Sequence, residues 1–110
     1  YHFHAATGEV SELQVDAYPL GVRPDTAYTA IEVQLEPGDR IIFYSDGIPE
    51  AENVAGDLFG FERTAETIRQ GCTENQSAEE LIDRLFGSIE TFVGSAIQRD
   101  DMTCVVMRAE

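Results

Sequence analysis

The first 44 residues alternate strand-like runs with turn signals. Residues 1–5 predict a strand, Thr7-Gly8 predicts a turn, and the apolar positions within residues 9–15 predict a second strand, so that the spacing indicates a hairpin. After an irregular stretch that contains Pro19, Gly21 and Pro24, residues 28–35 alternate again and predict a third strand.

Two later runs are apolar without clear alternation. Pro37-Gly38 predicts a turn, since proline presets its own φ and glycine accepts a positive φ. The run Ile41-Ile42-Phe43-Tyr44 that follows predicts a strand buried on both faces. The run from Met102 to Met107 is rich in threonine and valine and predicts a last buried strand.

Two helices are predicted between these strands. Phe61, Ala65 and Ile68 have the spacing of one apolar stripe, and Gly71 is expected to end that helix. Ser77-Ala78-Glu79-Glu80 is a capping box, after which apolar residues keep a helical period until Gly94. Several strands, then two helices, then one strand is the order of an α+β fold with sheet and helices in separate layers.

Composition narrows the class of protein. The chain has 110 residues, of which 43% are hydrophobic and 25% charged, and this fits one soluble globular domain. With 7 basic and 21 acidic side chains its net charge is 7 − 21 = −14, which would repel nucleic acid phosphates. No apolar run approaches the roughly 20 residues of a membrane-spanning helix. Cys72 and Cys104 form no disulfide framework, so we expect a cytoplasmic location.

Acidic residues stand at the edges of two apolar strands. Ser45-Asp46-Gly47 follows one strand directly, and Asp100-Asp101 precedes the other. Two such strands that bring one aspartate each to the same place would form an all-oxygen site suited to Mg²⁺ or Mn²⁺. The alternative is that Asp-Gly is a simple turn and Asp-Asp a simple loop.

Five segments resemble, in the right order, motifs of the metal-dependent protein phosphatases (PPM family). The core signature is 35–51, which includes Ser45-Asp46-Gly47, and the other segments are 19–22, 57–63, 77–81 and 99–106. More narrowly, they resemble the bacterial branch typified by the sporulation stage II phosphatase and the stress-response phosphatases that regulate sigma factors. The resemblance covers nearly the whole chain from about Glu9 onward.

The resemblance implies a fold and a chemistry. Family members form an αββα sandwich and hydrolyse phosphoserine or phosphothreonine in proteins with two Mg²⁺ or Mn²⁺ ions. Asp46 and Asp100 match metal-binding, catalytic aspartates of the family, while Gly47 and Asp101 complete the candidate metal-site set. Two metal ions can lower the pKa of a bridging water and neutralise the phosphoryl oxygens, so no protein nucleophile is needed.

The chain also departs from the family pattern. The family places an aspartate and an Asp-Gly motif upstream, and nothing in this sequence matches them. We therefore expect residues 1–110 to be the C-terminal part of a single phosphatase domain: half of an αββα sandwich, with a mostly antiparallel sheet and helices packed on one side. Its uncovered sheet face predicts a missing partner segment, a dimer, or poor behaviour in isolation.

Two further features have structural and functional interpretations. His2-x-His4 places two imidazoles on one strand face, a spacing that can bind zinc, but the sequence shows no third ligand and a structural strand is expected. Arg99 is expected to be a solvated surface arginine, with phosphate binding as the alternative.

Two functions follow from the sequence. The first is a protein serine/threonine phosphatase of bacterial signalling, acting on a phosphorylated antagonist of an anti-sigma factor and joined to an upstream sensor or receiver domain. The second is a catalytically incomplete phosphatase-like domain that serves as a regulatory or interaction module. The residues that precede Tyr1 in the parent gene would separate the two.

Overall fold

The structure is a computed structural model that describes residues 1–17 and 19–110. Its four strands form one antiparallel sheet in the order β2-β1-β3-β4. Both helices lie between β3 and β4 in the chain and pack on one face of the sheet. This confirms the predicted α+β architecture with helices on one side. The elements are β1 (His2–His4), β2 (Glu9–Ser11), β3 (Arg40–Tyr44), α1 (Gly60–Thr73), α2 (Ala78–Val93) and β4 (Cys104–Arg108).

The predicted hairpin forms from β1 and β2. The Gly8 N–H donates to the His4 carbonyl oxygen at 2.8 Å, and Gly8 has a φ of 74°, which glycine adopts without strain. Strand β2 ends at Ser11, earlier than the predicted position 15. The Pro37-Gly38 turn also forms, with the Asp39 N–H donating to the Glu36 carbonyl oxygen at 2.9 Å.

Residues 28–35 form no strand, so that prediction was wrong. Alternation is present, but a strand needs a neighbour for its backbone groups, and the described sheet ends at β2 and β4. Residues 19–34 are exposed apart from Thr26, and this extended segment contributes to a radius of gyration of 15.5 Å. A compact chain of this length would have a radius of about 13 Å.

The face of the sheet away from the helices is only partly covered, which corrects the prediction of fully buried strands. Phe3 and Ile42 point to the helices and pack with Ile68, Cys72 and Leu81. On the opposite face His2 and Ile41 are buried. Phe43, Val105 and Met107 on that face are each at least half exposed. The apolar composition of β3 and β4 is that of doubly buried strands, but part of their second face is open.

Helix α1 differs from its predicted pattern in two ways. Its buried residues include Thr64, Ile68 and Cys72, spaced four apart, while Phe61 is largely exposed. Gly71 does not end the helix: it is buried, and a Cβ there would lie 2.5 Å from Leu81 Cδ1. The absence of a side chain lets α1 approach α2 closely.

Residues close in sequence determine where α1 ends and where α2 begins and ends. Asn75 has a φ of 56°, and its N–H and that of Gln76 donate to carbonyl oxygens of the last turn, which is a Schellman ending with asparagine in place of glycine. The predicted capping box is confirmed, because Ser77 and Glu80 exchange two side-chain-to-backbone hydrogen bonds at 3.1 Å. Helix α2 ends at Gly94 as predicted and buries Leu81, Leu85 and Ile89.

Candidate functional site

The two predicted acidic segments lie side by side. Strands β3 and β4 pair up to Tyr44 and Cys104, and the pairing continues beyond them. The Ser45 N–H donates to the Thr103 carbonyl oxygen at 2.9 Å, and the Thr103 N–H donates to Ser45 Oγ at 2.9 Å. The sheet thus places Asp46 and the Asp100-Asp101 pair at the ends of two neighbouring strands.

Gly47 allows the closest contact between these segments. It is buried, and a Cβ at this position would lie 2.1 Å from the Asp101 carbonyl oxygen and 3.0 Å from its carbon. A side chain cannot occupy that space unless the two backbones separate. Steric fit, and not an unusual φ, therefore explains glycine after Asp46.

The turn that carries Asp46 is anchored in the core. The Ile48 N–H donates to the Ser45 carbonyl oxygen and the Glu50 N–H to the Asp46 carbonyl oxygen, both at 3.1 Å. Ile48 is completely buried and packs in a cluster with Ala51, Phe59, Leu85 and Ile89. The turn consequently has little freedom to move relative to α2.

A pocket of about 200 Å³ opens beside this turn. Gly47 and Asp100 line it together, at the junction of the turn, the end of α2 and the loop before β4. Asp100 is oriented by its own loop, since its Oδ1 accepts from the Asp101 N–H at 2.8 Å. The remaining lining residues are Glu50, Ala51, Glu52, Val93, Ile97, Gln98, Arg99 and Met102.

Asp46 lines a different depression. Its exposed side chain borders an open groove shared with Tyr1, Glu12, Tyr44 and Phe61. Burial raises the pKa of Tyr44 above its usual value, and hydrogen bonding with Tyr1 and the Glu12 and Asp46 charges raise it further, so this phenol stays neutral. The structure therefore brings Gly47 and Asp100 into one pocket, whereas the Asp46 side chain lines the neighbouring groove. The convergence of the Asp46 and Asp100 carboxylates on one metal cluster stays a prediction.

The sequence reasoning missed two acidic residues of this pocket. Glu50 and Glu52 both line it, and they follow Asp46 by four and six positions in the turn. The acidic residues that recur from Asp46 to Glu52 are the feature of the sequence that could have indicated them. Arg99 is 77% exposed and lies 3.5 Å from Glu52 Oε2, which makes it a surface ion pair.

Other features of the chain bear on its chemistry. Burial raises the pKa of the Cys72 thiol to about 11, so this cysteine has no activated thiolate. Neither α1 nor α2, the helices of the described residues, combines the length and apolarity needed to cross a membrane.

Comparison with solved structures defines the class of protein. The SiaA-PP2C domain of Pseudomonas aeruginosa matches with a TM-score of 0.67 and 29% sequence identity, over 76% of this chain and 34% of that one. The fold is that of part of a PP2C-type domain, and the class is the metal-dependent protein phosphatases.

Sequence comparison identifies the family. The profile of the stage II sporulation protein E (SpoIIE) family matches residues 1–110, and the chain belongs to that family. It is 29% identical over 89 residues to Protein IcfG of Synechocystis sp., covering 80% of this chain and 13% of that protein. It is also 27% identical over 97 residues to the phosphoserine phosphatase RsbU of Bacillus subtilis, covering 88% of this chain and 28% of that protein. The resemblance described from the motifs is confirmed, and the chain spans only a small part of either relative.

Proposed function

We propose that residues 1–110 form the C-terminal part of a single phosphatase domain and supply Asp46 and Asp100 to a two-metal site. The main support for this proposal is the contact between Ser45-Asp46-Gly47 and the Asp101–Thr103 backbone in a chain of this family. Ser45 is hydrogen-bonded to Thr103, and Gly47 lies against the Asp101 backbone. The proposed reaction is the hydrolysis of phosphoserine or phosphothreonine in a protein. RsbU, a relative, is itself named a phosphoserine phosphatase.

The residue types present suit Mg²⁺ or Mn²⁺. Asp46, Asp100 and Asp101 offer carboxylate oxygens from exposed positions, and Glu50 and Glu52 add charge nearby. Hard divalent cations prefer such oxygen ligands and keep several waters. When bound, the two ions would supply an activated water and neutralise the phosphoryl oxygens.

The chain's own residues perform the positioning. Strands β3 and β4 hold Asp46 and Asp100 at adjacent ends, Gly47 permits the close approach, and buried Ile48 fixes the turn. Asp101 is proposed to support the ligands through its N–H bond to Asp100. The apolar residues Ala51, Val93 and Met102 line the pocket beside the end of α2.

The biological setting that we propose is the one that the family resemblance implies. The substrate would be a phosphorylated antagonist of an anti-sigma factor in bacterial cytoplasm, and an upstream sensor or receiver domain would control the activity. A dimer formed through the open sheet face is a further proposal, since that face exposes Phe43, Val105 and Met107.

The test is a metal-dependent phosphatase assay on the full-length protein. With p-nitrophenyl phosphate and a phosphoserine peptide, we expect turnover only when Mn²⁺ or Mg²⁺ is added. Asp46→Asn and Asp100→Asn each keep the shape but remove a ligand charge, and each is expected to lower kcat by about 100-fold or more.

Asp83→Asn is the matched control. Asp83 is an exposed aspartate on α2, outside the pocket, so its variant should turn over substrate at the unmodified rate. If Asp46→Asn behaved like this control, the catalytic assignment of Asp46 would be wrong. A full-length protein that bound neither Mn²⁺ nor Mg²⁺ would favour the alternative, a regulatory module without catalysis.

A further inference from the structure

The sequence shows two histidines on one strand, and the fold adds a third polar group to them. His2 and His4 lie on the sheet face away from the helices, while Asp39 lies 35 residues further along, just before β3. One ring nitrogen of each histidine and one carboxylate oxygen of Asp39 all lie within 4.8 Å of one another. The pairing of β1 with β3 produces this cluster, because it sets His2 opposite Ile41 and Phe3 opposite Arg40.

The cluster is enclosed and its carboxylate is ionised. His2 and Asp39 are each 3% exposed, and His4 is half-buried. Burial tends to raise the pKa of Asp39, but hydrogen bonds from the Ala5 N–H, His2 and the Glu36 N–H outweigh it and lower the pKa to about 2. His2 Nε2 lies 2.8 Å from Asp39 Oδ2, so a charged acceptor already faces an imidazole nitrogen.

The two imidazoles constrain each other. Their ring centroids are 3.9 Å apart with an interplanar angle of 31°. This packing holds a ring nitrogen of each histidine and a carboxylate oxygen of Asp39 in the same small volume. His4 Nε2 is hydrogen-bonded to Ser11 Oγ at 2.8 Å, so a hydroxyl stands beside the cluster.

We propose that His2, His4 and Asp39 form a binding site for a divalent transition metal, of which Zn²⁺ is the best match. Zn²⁺ takes imidazole nitrogen and carboxylate oxygen at about 2.0–2.2 Å, and ligand atoms in a tetrahedron of that size lie about 3.3 Å apart. The His2–Asp39 spacing of 2.8 Å is near this value. A modest shift of His4 would bring its nitrogen to the same distance, and water or Ser11 would complete four ligands.

This site differs from the proposed Mg²⁺ or Mn²⁺ site in place and chemistry. Its donors are two nitrogens and one oxygen, whereas Asp46 and Asp100 offer oxygen alone. Asp39 and Asp46 flank opposite ends of β3, a strand about 13 Å long. The function of the metal would be structural: it would tie β1 and its hairpin to the turn before β3. Zinc binding would release protons and weaken at acid pH.

The test uses the untagged full-length protein in its Asp46→Asn form, stripped with a chelator and dialysed. Isothermal titration with Zn²⁺ is expected to show one site, and Zn²⁺ is expected to raise the Tm. His4→Gln keeps a polar side chain on the half-buried ligand and is expected to weaken binding at least tenfold and remove the rise in Tm. Glu9→Gln, the exposed cross-strand neighbour of His4, is the matched control and should bind as the parent does.

Spectroscopy keeps the proposal testable even if His4→Gln fails to fold. Co²⁺ in the parent protein should give the visible absorption of a four-coordinate nitrogen and oxygen site. A thiolate-to-metal band would assign binding to Cys72 or Cys104 and overturn the proposal. Zn²⁺ affinity that is equal in the parent and in folded His4→Gln would overturn it as well, and would leave a purely hydrogen-bonded cluster.

Discussion

The two ends of strand β3 carry aspartates in opposite surroundings. Before the strand, Asp39 is buried, and both of its carboxylate oxygens accept hydrogen bonds, from Ala5, Glu36 and His2. After the strand, Asp46 is exposed, and the bonds of its turn are made by the backbone. The Asp39 carboxylate therefore belongs to a buried structural cluster, whereas the Asp46 carboxylate faces solvent and is open to a ligand that arrives from solution.

The hydrogen bonds between β3 and β4 also differ at the two ends of β3. At the Asp39 end, Gly38 and Asp39 exchange hydrogen bonds of 2.8 Å with Ala109, which closes the β3–β4 pair. At the Asp46 end, the pair continues through the Ser45 side chain and then opens into the pocket beside Asp100. Strand β3 thus has a closed, buried end at Asp39 and an open, exposed end at Asp46, and single substitutions can test the two ends separately.

Gly47→Ala should have the largest effect on stability, because a Cβ would meet the Asp101 backbone at 2.1 Å. We expect a loss of at least about 3 kcal/mol, the top of the range for overpacking, together with loss of phosphatase activity. Urea unfolding of the purified domain measures it. Gly87→Ala is the control: Gly87 is exposed in α2 with nothing within 4 Å of the added Cβ, and a gain of about 1 kcal/mol is expected. Equal stabilities for the two variants would contradict the steric account of Gly47.

Asp39→Ala should cost stability, and Asp46→Ala should not. Removing Asp39 leaves the Ala5 and Glu36 N–H groups and the His2 ring without their acceptor, at a cost of about 2–3 kcal/mol. Exposed Asp46 is expected to change stability by less than about 0.5 kcal/mol. Chemical denaturation in the presence of a chelator compares them without metal. A larger loss of stability for Asp46→Ala than for Asp39→Ala would contradict the assignment of Asp39 as the structural aspartate.

Acid should weaken the Asp39 end selectively. The pKa of Asp39 is about 2 in the folded protein, below its unfolded value of about 3.9, so its contribution is complete above about pH 5. It is lost as the pH falls from about 5 to about 1, because the unfolded state binds a proton first. The free energy of unfolding, measured across this window, should fall more steeply for the parent than for Asp39→Asn. Parallel curves would show that Asp39 keeps an ordinary pKa.

Ser45→Ala should cost less stability than Gly47→Ala or Asp39→Ala. It removes the hydroxyl that accepts from the Thr103 N–H at 2.9 Å, and the expected loss is about 1 kcal/mol. Activity should fall more than stability, since the Asp46 and Asp100 segments lose a link between them. Ser45→Thr keeps the hydroxyl and should restore both measurements. Failure of threonine to restore activity would show that the bond to Thr103 is not what matters.

Local patterns were sufficient wherever neighbouring residues decide the structure. The capping box at Ser77, the helix end at Gly94, and the turns at Thr7-Gly8 and Pro37-Gly38 all form as predicted. Each depends on hydrogen bonds or backbone angles within about four residues. The candidate aspartates were also readable from sequence, because Asp46 and Asp100 stand beside apolar strands and match a family motif.

Long-range contacts decided the rest. The alternation of residues 28–35 could not form a strand without a partner, and the packing of α1 selected Thr64 and Cys72 for burial in place of Phe61. Gly71, which was predicted to end α1, instead lies inside α1 and allows α1 and α2 to pack closely. The pairing of β3 with β4 aligned Ser45 with Thr103, and the pairing of β1 with β3 brought Asp39 to the two histidines. The sequence alone determined which residues are candidates for the site, while tertiary pairing determined which of them meet, because strand partners lie tens of residues apart.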